Sequence, residues 1–175
     1  DSNVGGGSNE EGTNFDKITK QNFEMILSKN IYSTFRLTQL SLNSMMKNKW
    51  GRIITISSAI TKKFSGKPIY TMNKIAQVSL MKSLSTQKKY TKKNITFNCV
   101  SPGAIFTETS KWTNLKTRKP QILKKIIDRD FPKGIGLPVD VANLVYFLSK
   151  NESDYINGTN MIIDGGNSNM KNNQI

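Results

Sequence analysis

The sequence predicts an α/β fold built on a parallel sheet, and three observations predict it. Short β-branched runs recur at "GRIITISS", "NITFNCVSPGAI" and "TNMIIDGG". Stretches of helical periodicity separate them. Each run ends in small, hydroxyl-bearing, Pro or Gly residues, as buried strands feeding loops do. Ligands of such open sheets sit beyond the carboxyl ends of the strands. Chemistry is therefore expected at Ser57, Ser58 and the Pro102-Gly103 turn.

Each element follows from local pattern. Residues 1–14 are rich in Gly, Ser, Asn and Glu without apolar periodicity, and read as a flexible segment or insertion. The "GGG" within them follows no apolar strand and opens no helix, so it reads as a linker rather than a phosphate cradle. From Ile18 to about Met46, apolar positions including Phe23, Ile26, Phe35 and Leu42 recur at helical spacing, giving one long helix or two in succession. Ile53, Ile54 and Ile56 form the first strand. A loop from Thr61 to Pro68 leads to a helix that carries Tyr70 and Lys74 and runs on through Leu84. The second strand is broken by Pro102-Gly103. A lysine-rich, partly helical stretch from Trp112 to Arg129, the loop "FPKGIGLP" and a helix from Val141 to Leu148 precede the third strand. Residues 15–166 form one domain and 167–175 a tail.

Composition narrows the function. The 175 residues suffice for one domain with a real core, and no apolar run approaches the roughly 18–20 residues of a membrane span. Nothing at the start resembles a signal peptide. The single Cys99 rules out an internal disulfide framework and suits a soluble, reducing compartment, cytoplasm or a plastid-type organelle. With no histidine, Ser-His-Asp catalysis and His-ligated metals are excluded, and no metal is expected. The net charge of +14 predicts attraction to polyanions, although heavy lysine usage beside four arginines is equally a compositional bias. No nucleic-acid recognition motif is present, and the aromatics fall at core spacing, so nucleic acid is not the expected partner.

The stretch "PIYTMNKIAQ" sets Tyr70 and Lys74 on one helical face. An ammonium within about 4–6 Å favours the phenolate, which would let a tyrosine exchange a proton with a carbonyl or alcohol oxygen. Chance supplies about 0.6 such pairs in a chain of this composition, and a second one, Tyr146 with Lys150, exists. Position selects Tyr70. Its helix follows a strand that ends in serines, whereas Tyr146 lies late in a helix, beyond its strand-end loop.

Together, "GRIITISSAI", "IYTMNKIA", "NITFNCVSPGAIFTE" and "DYINGTNMIIDGG" resemble, in order and spacing, the short-chain dehydrogenase/reductase family, most of all its 3-oxoacyl-[acyl-carrier-protein] reductases. The resemblance covers nearly all of Phe15 to Gly166. It implies a Rossmann-like doubly wound sheet, NADPH as cofactor, acyl carrier protein as the substrate's carrier and a homotetramer packed through the helices near Ile18–Met46 and Tyr70–Lys89. It implies that Ser58 hydrogen-bonds the substrate carbonyl, with Ser57 as the fallback because the gap to Tyr70 is one residue short. Tyr70 is then the proton donor, and Lys74 holds the nicotinamide ribose. Asn30, in "SKNIYSTF", would hold a water relaying protons to the lysine, although read alone it is an ordinary helix-surface residue. Pro102, Gly103, Ile105 and Thr107 would form the nicotinamide clamp. Lys49 and Lys93 match basic residues that flank the active-site mouth and dock the acidic carrier.

The chain also departs from the family pattern. It has no glycine-rich turn between a first strand and helix, the Asn-Asn-Ala-Gly element survives only as an echo in "SNVGG", and "FPKGIGLP" is short and lacks an arginine. The expectation is thus the C-terminal two-thirds of a reductase, missing its N-terminal glycine-rich βαβ half and inactive alone. A reductase of a small carbonyl such as a sterol, sugar or quinone, and a non-catalytic subunit that keeps the fold, stay open beside it.

Overall fold

The computed structural model describes residues 15–64, 67–108 and 110–170. The expectations for 1–14, including the "GGG" linker and the "SNVGG" echo, and for the end of the tail lie outside those residues.

Thr19 starts the first helix, α1 (Lys20–Leu27), by accepting the Asn22 N–H at 3.2 Å on its hydroxyl. A π turn, Ser28–Tyr32, then joins α1 to α2 (Ser33–Asn48) without leaving helical backbone. The periodic stretch is therefore two α-helices fused through one wider turn. Lys49 ends α2 in the left-handed region at φ 52°.

Strand β1 (Gly51–Ile56) follows, then a one-turn helix α3 (Ile60–Lys63) where a loop is expected. The serine pair explains this turn. The Ser58 carbonyl accepts from Thr61 N–H at 3.1 Å and its hydroxyl from Ile60 N–H at 3.3 Å, which closes the backbone locally. Pro68 occupies the first turn of α4 (Pro68–Ser85), where its missing N–H costs nothing. A short α5 (Lys88–Thr91), not anticipated from the sequence, leads into β2 (Ile95–Pro102). The lysine-rich stretch forms α6 (Lys111–Arg118) and α7 (Pro120–Asp130). Helix α8 (Pro138–Leu148) starts earlier than periodicity alone indicates, because Pro138 and the Asp140 carboxylate, which accepts from Leu137 N–H at 2.7 Å, set its first turn. Strand β3 spans Asn160–Ile163.

The described strands form a parallel sheet of order β1-β2-β3, with Gly51 opposite Ile95 and Cys99 opposite Asn160. Central β2 is buried from Ile95 through Ser101, as a strand covered on both faces must be. Side chains of Ile95, Phe97 and Cys99 point to one face. There they meet Met81 of α4 with Leu42, Met45, Val78 and Tyr90. Helix α8, with fully buried Leu148, covers the opposite face against β1 and β2. A helix on each face fixes the sheet and leaves the carboxyl ends of its strands as the place where loops converge.

Candidate functional site

Ile56 ends β1, and the next two residues diverge in role. Ser57 is buried, and its hydroxyl donates to the Lys74 carbonyl at 3.0 Å, so it ties the strand end to α4. Ser58 is half-buried and hydrogen-bonds the side chain of Tyr70. The geometry thus puts Ser58, not the fallback Ser57, beside the phenol.

Lys74 lies one turn after Tyr70 and is fully buried. Its ammonium donates to the Ile56 carbonyl at 3.1 Å and sits 5.5 Å from the Tyr70 ring centroid. Burial lowers its pKa from 10.5 to about 8, with the Cys99 thiol opposing that shift. Tyr70 departs from expectation. Burial raises its pKa, and the hydrogen bond from Ser58 pulls it back, so the hydroxyl is held protonated rather than driven toward phenolate by the lysine. A protonated phenol is the form that can donate a proton. Tyr146, in contrast, is 64% exposed, with the Lys150 ammonium 4.1 Å from its ring centroid.

Asn30 is not the surface residue that its helix position alone suggests. It is 2% exposed at the centre of the π turn. Its amide donates to the Ile26 carbonyl at 3.0 Å, and its own carbonyl accepts from the Thr34 hydroxyl at 2.8 Å and the Gln77 amide at 3.2 Å. Gln77 lies three residues beyond Lys74 on α4. Neither Gln77 nor Thr34 was foreseen from the sequence. The available sign was a glutamine at helical spacing within the buried stripe Lys74, Gln77, Met81.

The Pro102-Gly103 turn continues β2 into the same region. A Cβ on Gly103 would lie 2.6 Å from the Asp164 Cβ and 2.9 Å from its Cα, so the turn packs against the chain after β3 only as glycine. Ile105 pairs in parallel with Gly136: Phe106 N–H donates to the Gly136 carbonyl at 2.8 Å, and Gly136 N–H to the Ala104 carbonyl at 3.0 Å. This arrangement points the N–H and C=O of Ile105 to the other side of the chain, as a main-chain contact to a carboxamide requires. The pairing also shows where "FPKGIGLP" lies, since its Gly136 brackets the segment at Ile105. Thr107 is exposed at the start of the turn that leads to α6.

Lys49 and Lys93 lie apart from this grouping. Both immediately precede the amino ends of β1 and β2, whereas Ser58 and Tyr70 lie at the carboxyl end. Six strand residues, at about 3.3 Å each, separate the two ends, so the lysines do not flank the mouth of this chain's own site. Parallel pairing places equivalent flanking residues together at one end of the strands, here the end away from Ser58 and Tyr70.

A parallel sheet whose first described strand delivers a serine to a tyrosine and a buried lysine on α4 defines a Rossmann-like oxidoreductase. The family described as enoyl-(acyl carrier protein) reductase matches residues 2–168. The 3-oxoacyl-[acyl-carrier-protein] reductase FabG of Rickettsia bellii is 32% identical over 154 residues, covering 86% of this chain and 60% of that protein. MabA of Mycobacterium bovis, a reductase of the same description, is 31% identical over 151 residues, covering 86% of this chain and 58% of that protein. The NADP-bound structure of ElxO superposes at TM-score 0.70 with 28% identity, covering 89% of this chain and 62% of that one. The NAD-bound 3-oxoacyl-[acyl-carrier protein] reductase of Brucella melitensis shares the fold at TM-score 0.76, with 20% identity over 94% of this chain and 59% of that one. The chain belongs to the short-chain dehydrogenase/reductase family, and it spans about 60% of the length of these curated relatives.

Proposed function

We propose that the protein reduces a 3-oxoacyl group carried on acyl carrier protein to the 3-hydroxyacyl form, with NADPH, in fatty-acid synthesis. The observation that carries the chemistry is the Ser58–Tyr70–Lys74 grouping at the carboxyl end of β1. The relatives named as 3-oxoacyl-[acyl-carrier-protein] reductases support the substrate class.

Ile105 through its main chain, Thr107 through its hydroxyl and Lys74 would hold the nicotinamide end of the cofactor, which when bound supplies the hydride. This chain's residues do the rest. Tyr70 gives its proton to the oxygen of the β-carbonyl as that oxygen gains charge. Ser58, which stands beside the phenol, turns its single O–H from the phenol to the same oxygen, and the Lys74 ammonium stabilises the phenolate left behind. Asn30 belongs to the path by which the lysine recovers a proton.

The assembly is proposed as a homotetramer. Tyr32, Phe35 and Leu40 along the π turn and α2, with Met72 and Ile75 on α4, are between 36% and 58% exposed and supply an apolar face. A carrier docked on Lys49 and Lys93 would stand away from Tyr70 of its own chain, and in the tetramer it serves the site of a neighbouring copy. The test is to assay the full-length protein with NADPH on acetoacetyl-carrier protein and on a panel of small ketones. Turnover of the carrier-linked substrate is expected. Preference for a small ketone would make it a different reductase, and turnover of neither would make it a non-catalytic subunit.

A further inference from the structure

Asn30 and Gln77 carry buried amides whose orientation is fixed by what they donate to. Asn30 Nδ2 donates to the Ile26 carbonyl at 3.0 Å. Gln77 Nε2 donates to the Asn30 carbonyl at 3.2 Å and to the Thr34 hydroxyl oxygen at 2.8 Å. Turning either amide over would set oxygen against oxygen, so the NH₂ groups belong where they are. Asn30 Oδ1 and Gln77 Oε1 are then left buried with no hydrogen-bond partner among the described residues, as is Asn73 Oδ1 one turn earlier on α4. Residues Asn30, Asn73 and Gln77 are each 2% exposed or less.

Two features make this more than a packing accident. The π turn centred on Asn30 is an uncommon element that concentrates at functional sites. Its released carbonyls are satisfied by side chains, with Thr34 and Gln77 both filling the Asn30 carbonyl. A relay water therefore finds that carbonyl already occupied. The acceptors left for it are the amide oxygens, and a buried acceptor without a donor is costly enough that an internal water is the usual remedy.

We propose that Gln77 is a positioning residue for proton return to Lys74: it locks the Asn30 turn against α4, and a relay water rests on Asn30 Oδ1 and Gln77 Oε1. The proposal rests on the reductase reading, in which Tyr70 and Lys74 handle the proton. Lys74, one turn from Gln77 on the same helix, is the ammonium that the water would serve.

Two measurements test it, one of which needs no turnover. A crystal structure of the chain at high resolution should show a water within hydrogen-bond distance of Asn30 Oδ1 and Gln77 Oε1, and Gln77→Met should remove it. In the full-length protein Gln77→Met should lower kcat about 10- to 100-fold, the cost of slightly misplacing a positioned group. NADPH affinity should stay within about twofold and the pH profile of kcat should change shape, because only the proton path is touched. Should the methionine variant fail to fold, Gln77→Asn, whose shorter amide no longer reaches the Asn30 carbonyl or the water, serves the same comparison. Absence of the water, or a folded variant with parent-like kcat and pH profile, overturns the proposal. If the full-length protein reduces neither the carrier-linked substrate nor a small ketone, the reductase reading fails instead, and the water still reports on the turn.

Discussion

The Lys74 ammonium donates to the carbonyl of Ile56 at 3.1 Å, so the helix that carries the phenol is anchored on the last residue of β1. Burial accompanies that anchoring and lowers the lysine's pKa from 10.5 to about 8. Between those values the unfolded chain binds the proton and the folded chain releases it, so this lysine's contribution to stability rises with pH across that window. Below about pH 8 the cost of burying the charge is fully present. Relative to Lys74→Met, the parent should gain on the order of 3 kcal/mol between pH 8 and 10.5, read by denaturant unfolding of both. A difference that stays flat over that range would show that the ammonium is not held in a desolvated site.

The two tyrosine-lysine pairs separate sharply by environment. Tyr70 is bonded to Ser58 at the strand end, while Tyr146 is 64% exposed on α8. In the full-length protein Tyr70→Phe should lower kcat by at least about 10²-fold, the scale of a general acid's contribution. Tyr146→Phe should leave kcat within about twofold. Equal losses in both would remove Tyr70 from its role.

The strands and the helix bearing Tyr70 were legible because their signals are local: β-branched runs, helical spacing and Pro68 at a first helical turn. What escaped depends on contacts between distant segments. No spacing rule reveals that Gln77 reaches Asn30, 47 positions earlier, or that Gly136 pairs with Ile105. The π turn is invisible for a related reason, since one inserted residue shifts the apolar periodicity no more than an ordinary irregularity does. Lys49 and Lys93 show the limit of a motif in another way. Matching them to a motif said nothing of which end of the sheet they occupy, and that is settled by strand direction.

Carrier docking is tested by hybrid oligomers. Lys49→Glu with Lys93→Glu should raise KM for the carrier-linked substrate and weaken its dependence on salt, while a small thioester analogue is turned over as before. Because the lysines lie at the far end of β1 and β2 from Tyr70, the double variant co-expressed with Tyr70→Phe should recover carrier-linked activity that neither has alone. Recovery requires a docking surface from one copy and a phenol from another. An unchanged KM in the double variant would remove the lysines from docking, and a raised KM without recovery would mean that each copy serves itself.

The last prediction concerns what this chain can hold by itself. Pyrophosphate binding in Rossmann-like folds uses a strand that runs through a glycine-rich turn into a helix, where main-chain N–H groups and the helix dipole meet the anion. Among the described residues, β1 runs into Ser57-Ser58, β2 into Pro102-Gly103, and β3 into Asp164-Gly165-Gly166 followed only by the 3₁₀ turn Asn167–Asn169. The Asp164 carboxylate accepts the N–H groups of Gly166 and Ser168, so that turn's donors are already committed to an anion of the chain's own. Ile105, Thr107 and Lys74 offer contacts to the nicotinamide end, which carries neither the pyrophosphate nor the adenosine. NADPH titrated into this chain and followed by nicotinamide fluorescence should therefore show no micromolar binding, whereas a version joined to an upstream βαβ unit with a glycine-rich turn should bind. Micromolar affinity in the chain alone would mean that its own residues grip the phosphates. Silence in both would turn the reading toward a subunit that has the fold of a reductase and does not use the cofactor.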